Sequence, residues 1–423
     1  MRLRVAWLAH CLALHAVACG KTNAEQATNP TSNSDRESSD GGAEISEPRG
    51  NCRGVQFLDA ELARNVRLQL SLSASDELTP ARLLQLEWLV VRQSQEPPIV
   101  SLEGLQCASN LESLTVEDGS ITDISPLAPL EKLVNLTLSH NRITDLGPLR
   151  ELTQLERLFV DDNPIVDLTP LAGLGSLTTV GATHTELSSI AALSGLPLLS
   201  ELYVEETPLS DISDFVAPPT LTRLFLGDNQ LEDLTPLASF RSLTYLRVRG
   251  NRIHSLEPLG ALPALTELDA SNNPLTTLDG VEHLTKLWQL DASRCQLGDI
   301  SALASAPALF VIALGKNQIT DVSPLLGHPQ LEVLMLEDNP LDDAHGLAEL
   351  ERLNRLDLSG TRIHELPNWR ALSASACRYV VAERTSLTPS TLDEEIPELC
   401  NVWHVNVRVT GFSCFVCLPP SLK

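Results

Sequence analysis

The chain has 423 residues, with 30 Lys and Arg against 55 Asp and Glu, a formal net charge of −25. That balance argues against DNA, RNA or an anionic lipid surface as the main partner, because each needs a basic footprint. Apolar residues make up 43%, too many for wholesale disorder, and 79 of them are leucines against 16 aromatics and 2 methionines. A compact enzyme core mixes in aromatics and Met to fill irregular gaps. Leucine in this excess points instead to a repeating slot that accepts one side-chain shape.

Residues 1–18 read as an export signal. Arg2 and Arg4 give a positive start, and Val5 to Ala18 is mostly apolar, interrupted by His10 and His15. The stretch is shorter than the roughly 20 apolar residues that span a bilayer. Small residues close it at Ala16-Val17-Ala18-Cys19-Gly20. A Cys after such a run resembles the bacterial lipobox, which implies that Cys19 is acylated and becomes the mature N-terminus. Ala16, where the pattern usually has Leu, departs from it. Plain secretion and an uncleaved anchor are the alternatives. Residues 19–51 then form a lipid-anchored tether. From residue 20 onward it holds no aromatic and one branched aliphatic residue, Ile45, too little apolar surface to offset its ordering entropy. As a flexible coil it would reach roughly 30 Å from its anchor.

Residues 52–110 carry helical spacing. Phe57-Leu58-Asp59-Ala60-Glu61-Leu62 leads to Val66 and Leu70, and a second helical run follows Thr79-Pro80 through Leu83 and Leu86. Leu89, Val91, Ile99, Leu102 and Leu105 predict an irregular, longer turn. From Leu111 the sequence repeats with a period of 22. Twelve copies begin at residues 111, 133, 155, 177, 199, 221, 243, 265, 287, 309, 331 and 353, each a Leu. Leu-x-Leu alternation predicts a short strand with one buried face, and stacked copies pair into a parallel sheet over a continuous core. The ninth position is Asn at 141, 163, 229, 251, 273, 317 and 339. Asn141, Asn163, Asn229, Asn251, Asn273, Asn317 and Asn339 would form a stacked amide column that supplies partners to backbone groups where the chain leaves the strand. Thr185, Thr207, Cys295 and Thr361 are small enough to replace it. Pro126, Pro148, Pro170, Pro236, Pro258 and Pro324 share a convex position that favours a tight extended or 3₁₀-like return.

This pattern resembles the leucine-rich repeat in its 22-residue, internalin-like bacterial form, over roughly residues 55 to 375. The resemblance implies an α/β solenoid: a right-handed coil with short parallel strands on its concave face and 3₁₀ or irregular structure on the convex side. Residues 52–110 become a helical N-terminal cap with an irregular first repeat, 111–375 the twelve repeats, and 376–423 a C-terminal cap. In that cap Trp403 to Gly411 alternates like a strand, but the last 48 residues match no named pattern.

Of nine cysteines, Cys11 leaves with the signal, Cys19 would carry lipid, and Cys295 sits in the Asn column. The even remainder, Cys52, Cys107, Cys377, Cys400, Cys414 and Cys417, lies in the caps, where the core is thinnest, and reads as disulfides in an exported protein. The pairing 52–107, 377–400 and 414–417 is favoured among fifteen. Cys414-Phe-Val-Cys417 has the redox spacing but lacks a βαβ surround, so it reads as a staple. A zinc site would want a second close pair.

No nucleophile-base pair, metal-spaced cluster or phosphate loop is legible, so neither catalysis, cofactor nor metal is expected. The histidines His140, His184, His254, His283, His328, His345, His364 and His404 look scattered over unrelated repeat positions. Asp145, Asp167, Asp211, Asp233, Asp299 and Asp321 form a column that reads as turn-capping acceptors, and calcium would need oxygens from several directions. The informative surface is concave. There the third, fifth and seventh positions point away from the core, and most are small or polar. One block differs: Phe159, Tyr203, Phe225 and Tyr245, with Arg223, Arg247 and Arg249. These rings are expected to stand exposed, with a gap at Gly181 and an acidic rim of Asp161, Asp162, Glu205, Glu206, Asp269 and Asp291. Exposed aromatics with Arg have the composition of a protein-binding hot spot; rings packed on one another within the sheet are the bland reading. The expected function is a non-enzymatic protein-binding scaffold on the bacterial envelope. The expected protein is an outer-membrane or cell-surface lipoprotein, monomeric, held to the membrane only by its lipid. Glycan or peptidoglycan binding, and a redox or enzymatic C-terminal segment, are the alternatives.

Overall fold

In the computed structural model the described residues are 52, 55–92, 97–367, 378–401, 405–410 and 412–414. The expected signal, Cys19 and the tether lie outside them, as do Cys377, Cys417 and the side chains of Cys400 and Cys414. Among the described residues, sixteen strands form one sheet in sequence order. They are β1 (Trp88–Arg92), β2 (Ser113–Glu117), β3 (Asn135–Thr137), β4 (Arg157–Phe159), β5 (Thr179–Gly181), β6 (Glu201–Tyr203), β7 (Arg223–Phe225) and β8 (Tyr245–Arg247). The second half comprises β9 (Glu267–Asp269), β10 (Gln289–Asp291), β11 (Val311–Ala313), β12 (Val333–Met335), β13 (Arg355–Asp357), β14 (Arg378–Ala382), β15 (Val405–Val409) and β16 (Phe412–Cys414). All neighbours are parallel except β15 and β16. The chain is therefore an open solenoid of the expected class.

Each repeat builds its coil by the same local chemistry. The middle residue of each short strand, such as Leu136, Leu158, Leu224 or Leu246, is wholly buried. Each such Leu contributes about 1.5–3 kcal/mol, and no coil could bury its own alone. Register holds residue on residue, Leu224 opposite Leu202 and Leu246 opposite Leu224, so every outward position also forms a row. The Asn side chains bond to backbone groups of their own and neighbouring coils. Asn251 Oδ1 accepts from the Leu231 N–H at 2.9 Å, and its Nδ2 donates to the carbonyls of Leu226 and Val248 at 2.8 and 2.9 Å. Cys295 is a buried free thiol in the same column.

On the convex side each proline of the shared slot sits in the first turn of a 3₁₀ segment, as at Ser125–Leu127 and Thr235–Ser239. The Asp column caps these turns. Asp145, Asp167, Asp211, Asp233, Asp299 and Asp321 each accept the N–H two residues on, at 2.7–2.8 Å. Those hydrogen bonds hold the Asp167, Asp211, Asp233, Asp299 and Asp321 carboxyls below the usual range.

A further row was not anticipated. One residue just before the Asn column adopts a left-handed conformation in coil after coil, from Asp118 (φ 57°) and His140 (58°) to Lys316 (60°) and Asp338 (54°), with glycine at 250 and 360. No β-branched residue occupies it, as steric cost requires. His140 and His184 share this slot, which corrects the reading of the histidines as unrelated in position. Both approach Asp162 between them.

Ahead of β1 lies helix α1 (Ala60–Gln69), started by Asp59, whose carboxylate accepts from Glu61 and Leu62 N–H at 2.9 and 3.0 Å. Cys52 is disulfide-bonded to Cys107. The second expected helix is only four residues, Pro80–Leu83, because the chain must turn at once into β1. After β13 come β14, a π-helical turn at Thr391–Glu395, and helix α3 (Ile396–Asn401), the Pro80–Leu83 segment being α2.

Candidate functional site

Strand alternation fixes the outward rows. On β6, β7 and β8 the core-facing residues are Leu202, Leu224 and Leu246, so Tyr203, Phe225 and Tyr245 project to the concave side. Tyr203 lies opposite Phe225, Phe225 opposite Arg247, and Arg223 opposite Tyr245. Parallel strands are about 4.8 Å apart, close to ring-stacking distance.

The rings use that match. Tyr203 stacks on Phe225 with centroids 4.3 Å apart and planes at 16°, and Phe225 lies 4.7 Å from Tyr245. Phe159 joins at 6.4 Å from Tyr203. The Arg223 guanidinium sits 4.7 Å from the Tyr245 centroid, and that of Arg247 sits 5.3 Å from Phe225. Arg247 Nη2 donates to Tyr245 Oη at 2.9 Å, and Tyr203 Oη donates to Glu201 Oε2 at 2.8 Å.

The expected exposure of these rings is corrected by this packing. Phe225 is only 5% exposed and Tyr245 only 7%, while Tyr203 and Phe159 are half-buried. The expected gap at Gly181 is closed as well. A Cβ there would fall 2.5 Å from Phe159 Cδ1, so the missing side chain is what lets Phe159 lean inward. Burial and the Glu201 carboxylate push the Tyr203 phenol up to about 12, and burial raises that of Tyr245.

What faces solvent is a set of arginines with carboxylates beside them; two, Arg223 and Arg247, lie over ring faces. Arg249 pairs with Asp228 at 2.8 Å. Arg247 lies 3.6 Å from Glu205 and 3.4 Å from Asp269, attractive but too long for strong hydrogen bonds. Arg223 lies 4.0 Å from Glu201. Beside them an open depression of about 650 Å³ is bordered by His184, Glu206, Pro208, Asp228, Gln230 and Arg249. Asp162 raises the His184 imidazole by hydrogen bonding. Among the described residues no group of three His, Cys, Asp or Glu is placed to hold a metal ion. Nor is any helix among them long and apolar enough to cross a membrane.

The acidic rim is part of a longer array. Burial raises the Asp161, Glu205 and Glu267 carboxyls, brings Asp291 to about 6, and brings Glu337 to about 7. The sequence reading missed Glu337, the outward Val311, Ala313, Val333 and Met335, and the edge-to-face pair Trp288–Phe310 at 6.5 Å. The third and fifth positions of the repeats starting at 309 and 331 are apolar, and that signal was present in the sequence.

Two segments, residues 131–173 and 219–262, match the family model described as Leucine Rich repeats (2 copies). An internalin of Listeria monocytogenes, InlF, is 34% identical over 75% of this chain and 94% of its own, with a TM-score of 0.70. A leucine-rich repeat protein of Leptospira interrogans shares the fold at 22% identity and a TM-score of 0.66, covering 73% of this chain and 81% of its own. The functional domain of InlJ from Listeria monocytogenes, described as including a cysteine ladder, is 19% identical with a TM-score of 0.53, covering 77% and 81%. No curated protein matches the chain.

Proposed function

The chain belongs to the leucine-rich repeat family, and on that premise we propose that it is a non-enzymatic protein-binding scaffold whose concave face meets a protein partner at Tyr203, Arg223, Arg247 and Arg249. The observation that carries this reading is the clamp itself: ring faces beneath the Arg223 and Arg247 guanidinium groups, and carboxylates beside Arg247 and Arg249. Side chains fixed this way lose little freedom on binding, which is the usual cost of long arginines at an interface. Phe225 and Tyr245 act as the supporting layer. A glycan-stacking role is less favoured, because a sugar needs a bare ring face and these faces already cover one another.

We place the scaffold outside the cytoplasm, exported by residues 1–18, acylated at Cys19, tethered by residues 19–51 and monomeric. The small-residue run ending at Cys19 supports this. The domain boundaries at 110/111 and 375/376 belong to the same reading, as do disulfides Cys377–Cys400 and Cys414–Cys417. Palmitate labelling and membrane fractionation of Cys19→Ala test the anchor; an unlabelled variant that stays fully membrane-bound would refute it. Affinity capture from intact envelopes tests the face. Arg247→Ala and Tyr203→Ala should each weaken capture of the same protein by about tenfold or more. Undiminished capture by both would move the site elsewhere.

A further inference from the structure

Beyond β9 the concave side changes character. Val311 pairs in register with Val333 and Ala313 with Met335, giving an apolar floor on β11 and β12 in which Val333 is covered and Val311, Ala313 and Met335 are partly exposed. Asp291 lies opposite Ala313 on one side, with Asp269 beyond it, and Asp357 lies opposite Met335 on the other. Glu337 lies over the backbone of Gly315, where no side chain stands in its way. Gln289 shares the outward side of β10 with Asp291 and is opposite Val311. It is only 7% exposed, and its Oε1 has no hydrogen-bond partner. A buried acceptor left unpaired costs stability, so it points to a donor supplied from outside.

We propose that this part of the sheet is a docking site for an arginine-bearing segment of a protein partner, the arginine stem lying on Val311, Ala313 and Met335. Its guanidinium group sits at Asp291 and Asp269, with an N–H directed at Gln289 Oε1. Three observations converge on that occupant. The floor suits a methylene stem rather than a second charge. The planar guanidinium carries enough donors to serve two carboxylates and an amide oxygen together, which an ammonium group does less well. The carboxylates are only partly compensated: Asp291 is raised by burial and by Asp269 against the Ser293 hydrogen bonds and Arg249, and Glu337 by burial, Asp357 and Asp291 against a backbone hydrogen bond and Lys316. This site adjoins the Tyr203–Tyr245 row, since Asp269 also lies 3.4 Å from Arg247, but it does not use the stacked rings, so Tyr203→Ala and Asp291→Asn test the two readings separately.

The test is fluorescence anisotropy with a labelled peptide alternating Arg and Leu, its citrulline counterpart of equal shape without charge, and a counterpart with Leu replaced by Gly. The arginine peptide should bind, and both counterparts should bind at least about tenfold more weakly. Asp291→Asn and Gln289→Leu should each weaken the arginine peptide about tenfold, and Met335→Lys should abolish binding by placing a tethered cation on the floor. Asp291→Asn removes a buried charge, so its unfolding midpoint should not fall. Tyr203→Ala should leave the peptide affinity within about twofold, as should the convex double variant Asp167→Asn/Asp211→Asn. Equal weakening by the convex variant would reduce the binding to attraction by net charge and overturn the proposal. Loss with Tyr203→Ala but not Asp291→Asn would overturn it while sparing the aromatic row. Self-association of the protein that Asp291→Asn abolishes would put a second copy on this face, and would also overturn it.

Discussion

Phe225→Ala is the most informative single substitution, because it separates a ring that binds from a ring that supports. Phe225 is 5% exposed and lies between Tyr203 at 4.3 Å and Tyr245 at 4.7 Å, with Arg247 5.3 Å from its centroid. Burying a Phe side chain contributes about 1.5–3 kcal/mol, and each favourable ring pair about 0.5–1.5 kcal/mol more. Core Phe→Ala changes cost about 3–5 kcal/mol. The space left here opens to the concave surface, where water can enter, so the lower part of that range is expected, about 3 kcal/mol. Urea unfolding followed by far-UV circular dichroism measures it. Tyr203→Ala, removing a half-buried ring at the end of the stack, should cost less than half as much. Equal midpoints for Phe225→Ala and the parent would mean the ring is free in solution and the supporting-layer argument is wrong.

Asn251→Leu should destabilise by about 1–3 kcal/mol, because the Leu231 N–H and the Leu226 and Val248 carbonyls lose their partner; denaturant melts with unchanged midpoints would refute the buried amide column. Glu337 has a folded value raised from 4.5 to about 7, so its neutral form favours folding below pH 4.5 and that contribution is lost as pH rises through 7. Glu337→Gln should therefore flatten the fall in stability between pH 5 and 8 by up to about 3 kcal/mol, read from melts across pH; an unaltered profile would refute the burial of that charge. Gly181→Ala should force Phe159 aside and cost about 1–2 kcal/mol, a loss that should shrink when Phe159→Ala is already present; additive losses would show that the ring does not lie over the glycine.

The solenoid was legible because one rule was repeated. A Leu every 22 residues sets the register of every strand from β2 to β13, and position within the repeat then says which way each side chain points. The Asn and Asp columns followed from asking where backbone groups find partners at two bends per coil. The left-handed slot could have been found the same way. Asp118, His140, Asp162, Asp228, Asn272 and Asp338, with Gly250 and Gly360, are the residue types that tolerate positive φ. The second helix was overestimated because Leu83 and Leu86 fit a helical spacing equally well when the chain turns between them.

Legibility ends where coverage begins. Alternation places Phe225 on the outward side, but it cannot say that Tyr203 and Tyr245 will close over it, because that depends on ring rotamers two strands apart. In a parallel sheet every outward residue has in-register neighbours about 4.8 Å away, so a large side chain among large ones becomes buried without leaving its face. Among small ones it stays bare, or, like Phe159 over Gly181, bends into the space. The same geometry explains why Val311, Ala313, Val333 and Met335 escaped notice. No single residue there is conspicuous, yet Val311, Ala313 and Met335 stay partly exposed around a covered Val333 and leave a floor with carboxylates at its edges. For a repeat protein the composition of a row across neighbouring coils, rather than of any one strand, therefore decides what a partner can touch.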